Sequence, residues 1–157
     1  MIKVINNFLD VEDFKKLKET AFRADFYYNP EVSDYGEGDG FYFFHIIYRD
    51  HKIFSPLFPL IEPILNKLDV KALHRAKINM FTKNDKLIEY NQHTDTDFKC
   101  KTFLISLNTC NGFTRIGKDK TIPSVENTGI FFPGDIFHNS TNCTDKNVRV
   151  NININYF

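Results

Sequence analysis

The heptapeptide QHTDTDF, residues 92–98, sets His93 and Asp95 one residue apart. On an extended chain, positions i and i+2 point the same way, so an imidazole nitrogen and a carboxylate oxygen converge on one metal ion. With 5 histidines and 20 acidic residues in 157, such a pair arises by chance in roughly every second sequence of this composition, so alone it selects little. Two further residues sharpen it. His138 follows the Pro133-Gly134 turn in FFPGDIFHNS, and Arg149 heads the terminal stretch RVNININYF. Two imidazoles and a carboxylate can occupy one face of an octahedral metal and leave three positions open, while a guanidinium offers a fixed fork to a carboxylate.

The terminal stretch alternates strictly. Arg149, Asn151, Asn153 and Asn155 fall on one face of a strand, and Val150, Ile152, Ile154 and Tyr156 on the other. Asparagine is a poor strand former, and a wet strand face ordinarily carries Lys, Glu or Thr. A buried amide left unpaired costs on the order of 1 to 3 kcal/mol. A row of them therefore implies a polar cavity with something to bind; a plain solvated face is the alternative for Asn153 and Asn155.

The elements that must position these groups divide into two regions. Residues 4–9 read as a strand and residues 11–24 as an amphipathic helix, N-capped by Asp10, with Phe14, Leu17, Ala21 and Phe22 on one face. SDYGEGDG, residues 33–40, is a loop that could close as a lid over a substrate mouth, and FYFFHIIY, residues 41–48, is a strand. Residues 54–68 keep a helical spacing at Ile61, Ile64, Leu65 and Leu68 but are interrupted by Pro56, Pro59 and Pro63. From Leu73 onward short strands alternate with Gly, Pro and Asn turns at intervals of about 8 to 12 residues, the pattern of a sandwich or jelly roll.

With 42% hydrophobic residues and no low-complexity tract, the chain reads as one domain, residues 1–157, with helical and lid elements in 1–72 and a jelly-roll core in 73–157. The 20 basic and 20 acidic side chains cancel, which argues against a nucleic-acid or membrane-surface partner. No run approaches the roughly 20 apolar residues that span a bilayer. The odd number of cysteines and the absence of a signal-like N-terminus point to the cytoplasm. Cys100, Cys110 and Cys143 show no paired spacing for zinc, and His45, His51 and His74 read as structural or exposed.

The order His-x-Asp, a long gap, His, then Arg about ten residues on resembles the Fe(II)/2-oxoglutarate-dependent dioxygenase superfamily, whose fold is a double-stranded β-helix (a cupin-like jelly roll). NGFTRI, residues 111–116, is similar to that superfamily's Gly-Gly-x-Thr-x-Phe turn and strand, with Asn111 for the first glycine and Ile116 for the phenylalanine. HRAKINMFTKNDKLIEYNQHTD is similar to its approach to the metal motif, and VINNFLDVEDFKKLKE to the opening of small prolyl-4-hydroxylase-like members of bacterial and phage type.

This resemblance implies a mainly β chain with N-terminal helices that hydroxylates a C–H bond with Fe(II), 2-oxoglutarate and O2, releasing succinate and CO2. It makes His93, Asp95 and His138 the iron ligands, with Asp95 preferred over its neighbour Asp97 because the motif uses i and i+2. It makes Arg149 the partner of the distal carboxylate of 2-oxoglutarate, with Asn79 and Asn151 beside the cosubstrate and Phe81 where relatives carry tyrosine. Thr102 or Ser106 would supply the hydroxyl that shares that carboxylate. Retention of Asp95 implies hydroxylation over halogenation. The substrate would be a prolyl or other peptidyl group or a small molecule. Two alternatives share some of these features: a nucleic-acid dealkylating oxygenase, which calls for a basic groove, and a non-catalytic cupin-like binding module, which has no need of Arg149.

Overall fold

A computed structural model describes residues 1–33 and 40–157. In chain order the elements are β1 (Lys3–Ile5), α1 (Val11–Ala21), β2 (Tyr27–Asn29), β3 (Tyr42–Arg49), β4 (Lys52–Ile53), α2 (Phe58–Lys67), β5 (Leu73–Thr82), β6 (Lys101–Ser106), β7 (Phe113–Ile116), β8 (Lys120–Pro123), β9 (Gly129–Pro133), β10 (His138–Ser140) and β11 (Val148–Tyr156). The chain is mostly β with two helices among the described residues. An eight-stranded sheet runs β1-β9-β6-β11-β5-β3-β2 with β4 on β3, and a second sheet runs β10-β7-β8. Every strand pair is antiparallel.

The period-two pattern of β11 decides how the layers form. Val150, Ile152 and Ile154 are fully buried against Phe14, Leu17 and Ala21 of α1, Ile61 and Ile64 of α2, and Phe103 and Ile105 of β6. Each such aliphatic side chain contributes roughly 1.5 to 3 kcal/mol on burial. The other face of β11 packs inward, and Asn153 at 4% and Asn155 at 0% exposure remove the solvated-face alternative. Register sets the inner row of β5 against it: Arg75 opposite Asn155, Lys77 opposite Asn153, Asn79 opposite Asn151 and Phe81 opposite Arg149. A register shift between Ile46 and Tyr48 turns both Ile47 and Tyr48 toward the helical side, so β3 can cross from cavity wall to core. The small sheet closes the inner side through Ile116 and Ile122, packed with Leu104, Ile130 and Phe132 of the large sheet.

Several sequence expectations shift. The first strand covers Lys3–Ile5 in place of 4–9, and α1 ends at Ala21. Asp10 holds the N-cap position without a side-chain cap bond, and Phe22, expected on the buried face, becomes the C-cap at 38% exposure. α2 runs unbroken through Pro63; Pro59 sits in its first turn, where no backbone donor is required. β2, β4 and β10 are too short to leave a periodic signal. The lid expected of residues 33–40 falls on 34–39, which lie outside the described residues.

Candidate active site

His93 sits beyond the strands of the large sheet, yet its backbone is fixed by β10. His93 N donates to His138 O and His138 N donates to His93 O, each at 2.9 Å. Asp95 N donates in turn to Gly134 O at 3.1 Å, so the Pro133-Gly134 turn positions the acid. The imidazole centroids stand 4.7 Å apart, and one donor atom from each of His93, Asp95 and His138 lies within 4.8 Å of the others. His138 Nδ1 donates to Ile136 O at 3.0 Å and His93 Nδ1 faces Asn91 O at 3.5 Å, which leaves both Nε2 lone pairs available. Asp97, the rival acid, is exposed.

Asp95 is 3% exposed at its side chain and densely held. Arg75 Nη2 donates to Oδ1 at 3.0 Å, and Thr102 Oγ1, Asn153 Nδ2 and Asn155 Nδ2 donate to Oδ2 at 3.0, 3.1 and 3.0 Å. Burial opposes its charge, but His138, Arg75 and Lys77 and the Asn153 amide outweigh burial and hold the carboxyl well below its usual range. His93 is pushed down to about 4 by burial and then by neighbouring His138. Its imidazole is therefore neutral at pH 7, as a metal ligand must be.

Arg149 lies four residues along β11 from Asn153, about 13 Å of strand. It is fully buried and forms no ion pair among the described residues. Its Nη1 donates to Ser140 Oγ and to Thr141 O at 3.0 Å, its Nη2 donates to Thr114 Oγ1 at 2.8 Å, and its guanidinium lies over Phe81. Burial pushes its pKa down to about 10, which still leaves it charged at neutral pH. Gly112 is what admits it: a Cβ there would stand 2.6 Å from Arg149 Cδ and 2.4 Å from Asn142 O. Asn111, beside it, stitches this loop to residue 144 by accepting from Thr144 N at 2.9 Å.

A narrow cavity of about 40 Å³ runs from His93, Asp95 and His138 past Asn79, Asn151 and Asn153 to Phe81, Thr114 and Ser140, the side chains in front of Arg149, which does not itself line it. It shares Val32, Tyr42, Lys77, His93 and Asp95 with a mouth of about 410 Å³. Asn79 Nδ2 bonds Asn151 Oδ1 at 3.1 Å, but Asn79 Oδ1, Asn139 Oδ1, Asn151 Nδ2, Asn153 Oδ1 and Arg149 Nε are buried without a partner. Four of the five belong to residues lining this cavity, so its wall is built for a polar occupant. A larger groove of about 610 Å³ runs along α1 past Phe14, Lys18 and Phe22, and no member of the triad lines it.

The fold thus brings together His93, Asp95, His138, Arg149, Asn79 and Asn151. Thr102 and Ser106 are different: neither lines the cavity. Thr102 lies at the opposite end, bonded to Asp95 and Asn155, and Ser106 accepts from Ser124, while the hydroxyls bonded to Arg149 belong to Ser140 and Thr114. Sequence reading missed Arg75, although the alternation Arg75, Lys77, Asn79 in HRAKINMF carried the signal. It also saw no zinc-like cysteine spacing, whereas Cys110 from one loop and Cys143 and Asp145 from another place donor atoms within 4.8 Å. His45 bonds Asp25 O and Ser55 Oγ, His74 packs on Phe98, and His51 is exposed.

No protein-family profile and no curated protein matches the sequence. Among solved structures, an oxidoreductase of the 2OG-Fe(II) oxygenase family from Burkholderia pseudomallei superposes with a TM-score of 0.75 at 13% identity, covering 99% of this chain and 84% of that one. A prolyl hydroxylase from Trichoplax adhaerens, solved with a peptide fragment of the hypoxia-inducible-factor oxygen degradation domain, gives 0.68 at 15% identity over 99% and 83%. The epimerase SnoN of nogalamycin biosynthesis, in complex with Fe3+, α-ketoglutarate and nogalamycin RO, gives 0.65 at 11% over 99% and 78%. The chain is folded as the 2-oxoglutarate–Fe(II) oxygenases are.

Proposed function

We propose that the chain is an Fe(II)- and 2-oxoglutarate-dependent dioxygenase, a single double-stranded β-helix domain that hydroxylates a C–H bond. One observation carries this reading: a fully buried guanidinium, without a carboxylate partner among the described residues, sits behind Phe81, Thr114 and Ser140 at one end of a cavity whose other end gathers two imidazoles and a carboxylate. An uncompensated buried cation costs several kcal/mol. A dicarboxylate that bridges the two ends offsets that cost, and a cupin-like module binding metal alone has no use for it.

His93, Asp95 and His138 would hold the iron and Arg149 the far carboxylate of 2-oxoglutarate; the bound pair would activate O2, one oxygen atom ending in succinate as CO2 is lost and the other converting C–H to C–OH. The protein's share is positioning. Arg75, Thr102, Asn153 and Asn155 fix Asp95 so that its oxygens need no reorganisation. Asn79 and Asn151, bonded to each other with Asn79 Oδ1 and Asn151 Nδ2 left unpaired, would be the amides available to a bound cosubstrate. Phe81, stacked between Tyr42 and Tyr90, keeps water off the guanidinium.

The reading is tested by anaerobic titration of the protein with Fe(II) and 2-oxoglutarate. A visible metal-to-ligand charge-transfer band that requires both, and bleaches on oxygen exposure with release of succinate, supports it. Folded protein that develops no band refutes it.

A further inference from the structure

The cavity mouth carries a cation whose charge favours the Asp95 carboxylate but which is ion-paired neither to the triad nor at the Arg149 end among the described residues. Of the two basic residues in the inner row of β5, Arg75 is committed to Asp95 at 3.0 Å. Lys77 forms no ion pair among the described residues. Its Nζ meets the Tyr42 hydroxyl at 3.4 Å and stands 5.4 Å from the centroid of the same ring. Lys77 and Tyr42 line both the narrow cavity and the mouth, so this ammonium stands at their junction, next to the imidazole of His93 and the carboxylate of Asp95.

Its strand position stands apart from the carboxylate expected at Arg149. Lys77 is four residues along β5 from Phe81, the register partner of Arg149, which is about 13 Å of strand. A second anion is called for. At about 410 Å³ the mouth falls within the roughly 300 to 1,000 Å³ range of small-molecule sites. Glu31 and Asp97 line the same mouth and are exposed; they disfavour a strongly anionic ligand such as a phosphate ester and leave a single carboxylate, or a zwitterion, as the match to one free ammonium.

We propose that Lys77 is the recognition point for the substrate: the molecule hydroxylated is a small carboxylic acid whose carboxylate is held by Lys77 with its ring-side packing on Tyr42. This rests on the oxygenase reading and narrows it. A peptide hydroxylated at an internal residue has no free carboxylate beside the reacting carbon. A lysine placed there suits charge recognition without fixed geometry, since its ammonium is a point charge on a flexible stem.

The test uses the full chain loaded anaerobically with Fe(II) and 2-oxoglutarate, so that the charge-transfer band reports on the oxygenase reading separately. Free amino acids and simple carboxylic acids are then added, each beside its amide, together with a prolyl peptide blocked at both ends. The expected result is that at least one acid shifts the band and raises succinate release, with its amide at least tenfold weaker and the blocked peptide inactive. Lys77→Met should raise KM for that acid at least tenfold and erase the difference between acid and amide, while Lys77→Arg retains most of it. A formed band with no response to any acid overturns the proposal, as does equal response to acid and amide, preference for the blocked peptide, or an unchanged KM in Lys77→Met. Should Lys77→Met fail to fold, the acid-against-amide comparison in the unaltered protein decides alone.

Discussion

His93 and His138 are antiparallel partners: each donates its backbone N–H to the other's carbonyl at 2.9 Å. Residues paired in this way project their side chains on the same side of the ladder. The ladder itself therefore delivers both imidazoles, 45 positions apart in sequence, to one point, and Asp95 follows two residues later.

Replacement of His138 by asparagine leaves those backbone bonds available and removes one of the three donors. Expected is a fall in Fe(II) or Co(II) affinity of at least 100-fold, measured by titration calorimetry, with the antiparallel bridge and the circular dichroism spectrum retained. Undiminished metal binding would place the site elsewhere.

Arg149→Gln removes the charge and the fork. A charge-assisted bidentate contact is worth on the order of 2 to 3 kcal/mol, so the apparent Kd for 2-oxoglutarate should rise about 30- to 150-fold with metal affinity within a few-fold of the original. A guanidinium that is only structural would give the reverse: a large drop in melting temperature at constant 2-oxoglutarate affinity.

Gly112→Ala places a methyl group 2.6 Å from Arg149 Cδ and 2.4 Å from Asn142 O. Neither neighbour is free to yield, since Arg149 is held by Ser140, Thr141 and Thr114. The expected cost is roughly 1 to 3 kcal/mol in denaturant unfolding, together with weaker 2-oxoglutarate binding. Gly117→Ala, where no heavy atom stands within 4 Å of the added carbon, serves as the contrast for crowding; its positive φ makes it a control for backbone strain alone.

The half-buried His93 gives the metal-free protein a defined pH response. Its folded pKa of about 4 lies below the ordinary 6.5, so between these values the unfolded chain takes up a proton that the folded chain refuses. Stability is unaffected by this group above pH 6.5 and falls as pH drops toward 4, by on the order of 3 kcal/mol. Asp95, whose pKa is lowered from 3.8, adds its own loss only below that range. Urea midpoints at pH 7, 5.5 and 4.5 should decline in the natural sequence and flatten in His93→Gln. An equal decline in both would contradict the assignment.

Part of this was legible in the residues themselves. The alternation of β11 separated the side chains that pack in the core from the polar row, because period two admits only two faces and one of them carries only Val, Ile and Tyr. The His-x-Asp pair was visible for the same reason. What the sequence hid depends on register across distant strands. Nothing local says that Arg75 lies opposite Asn155, or that both close on Asp95. Thr102 and Ser106 share a strand face with each other, and only the pairing of β6 with β11 reveals that Thr102 falls at the Asp95 end and Ser106 toward Ser124. Strands of two or three residues, such as β4 and β10, are too short for any periodicity.

The proposed function requires that His93, Asp95 and His138 share one iron while Arg149 receives the far end of the cosubstrate. A crystal structure of the protein grown anaerobically with Fe(II) and 2-oxoglutarate, with anomalous data at the iron edge, measures this directly. A single anomalous peak bonded to His93, Asp95 and His138 and a carboxylate against the Arg149 guanidinium are expected; iron bound elsewhere, or a cosubstrate carboxylate turned away from Arg149, would contradict the proposed function.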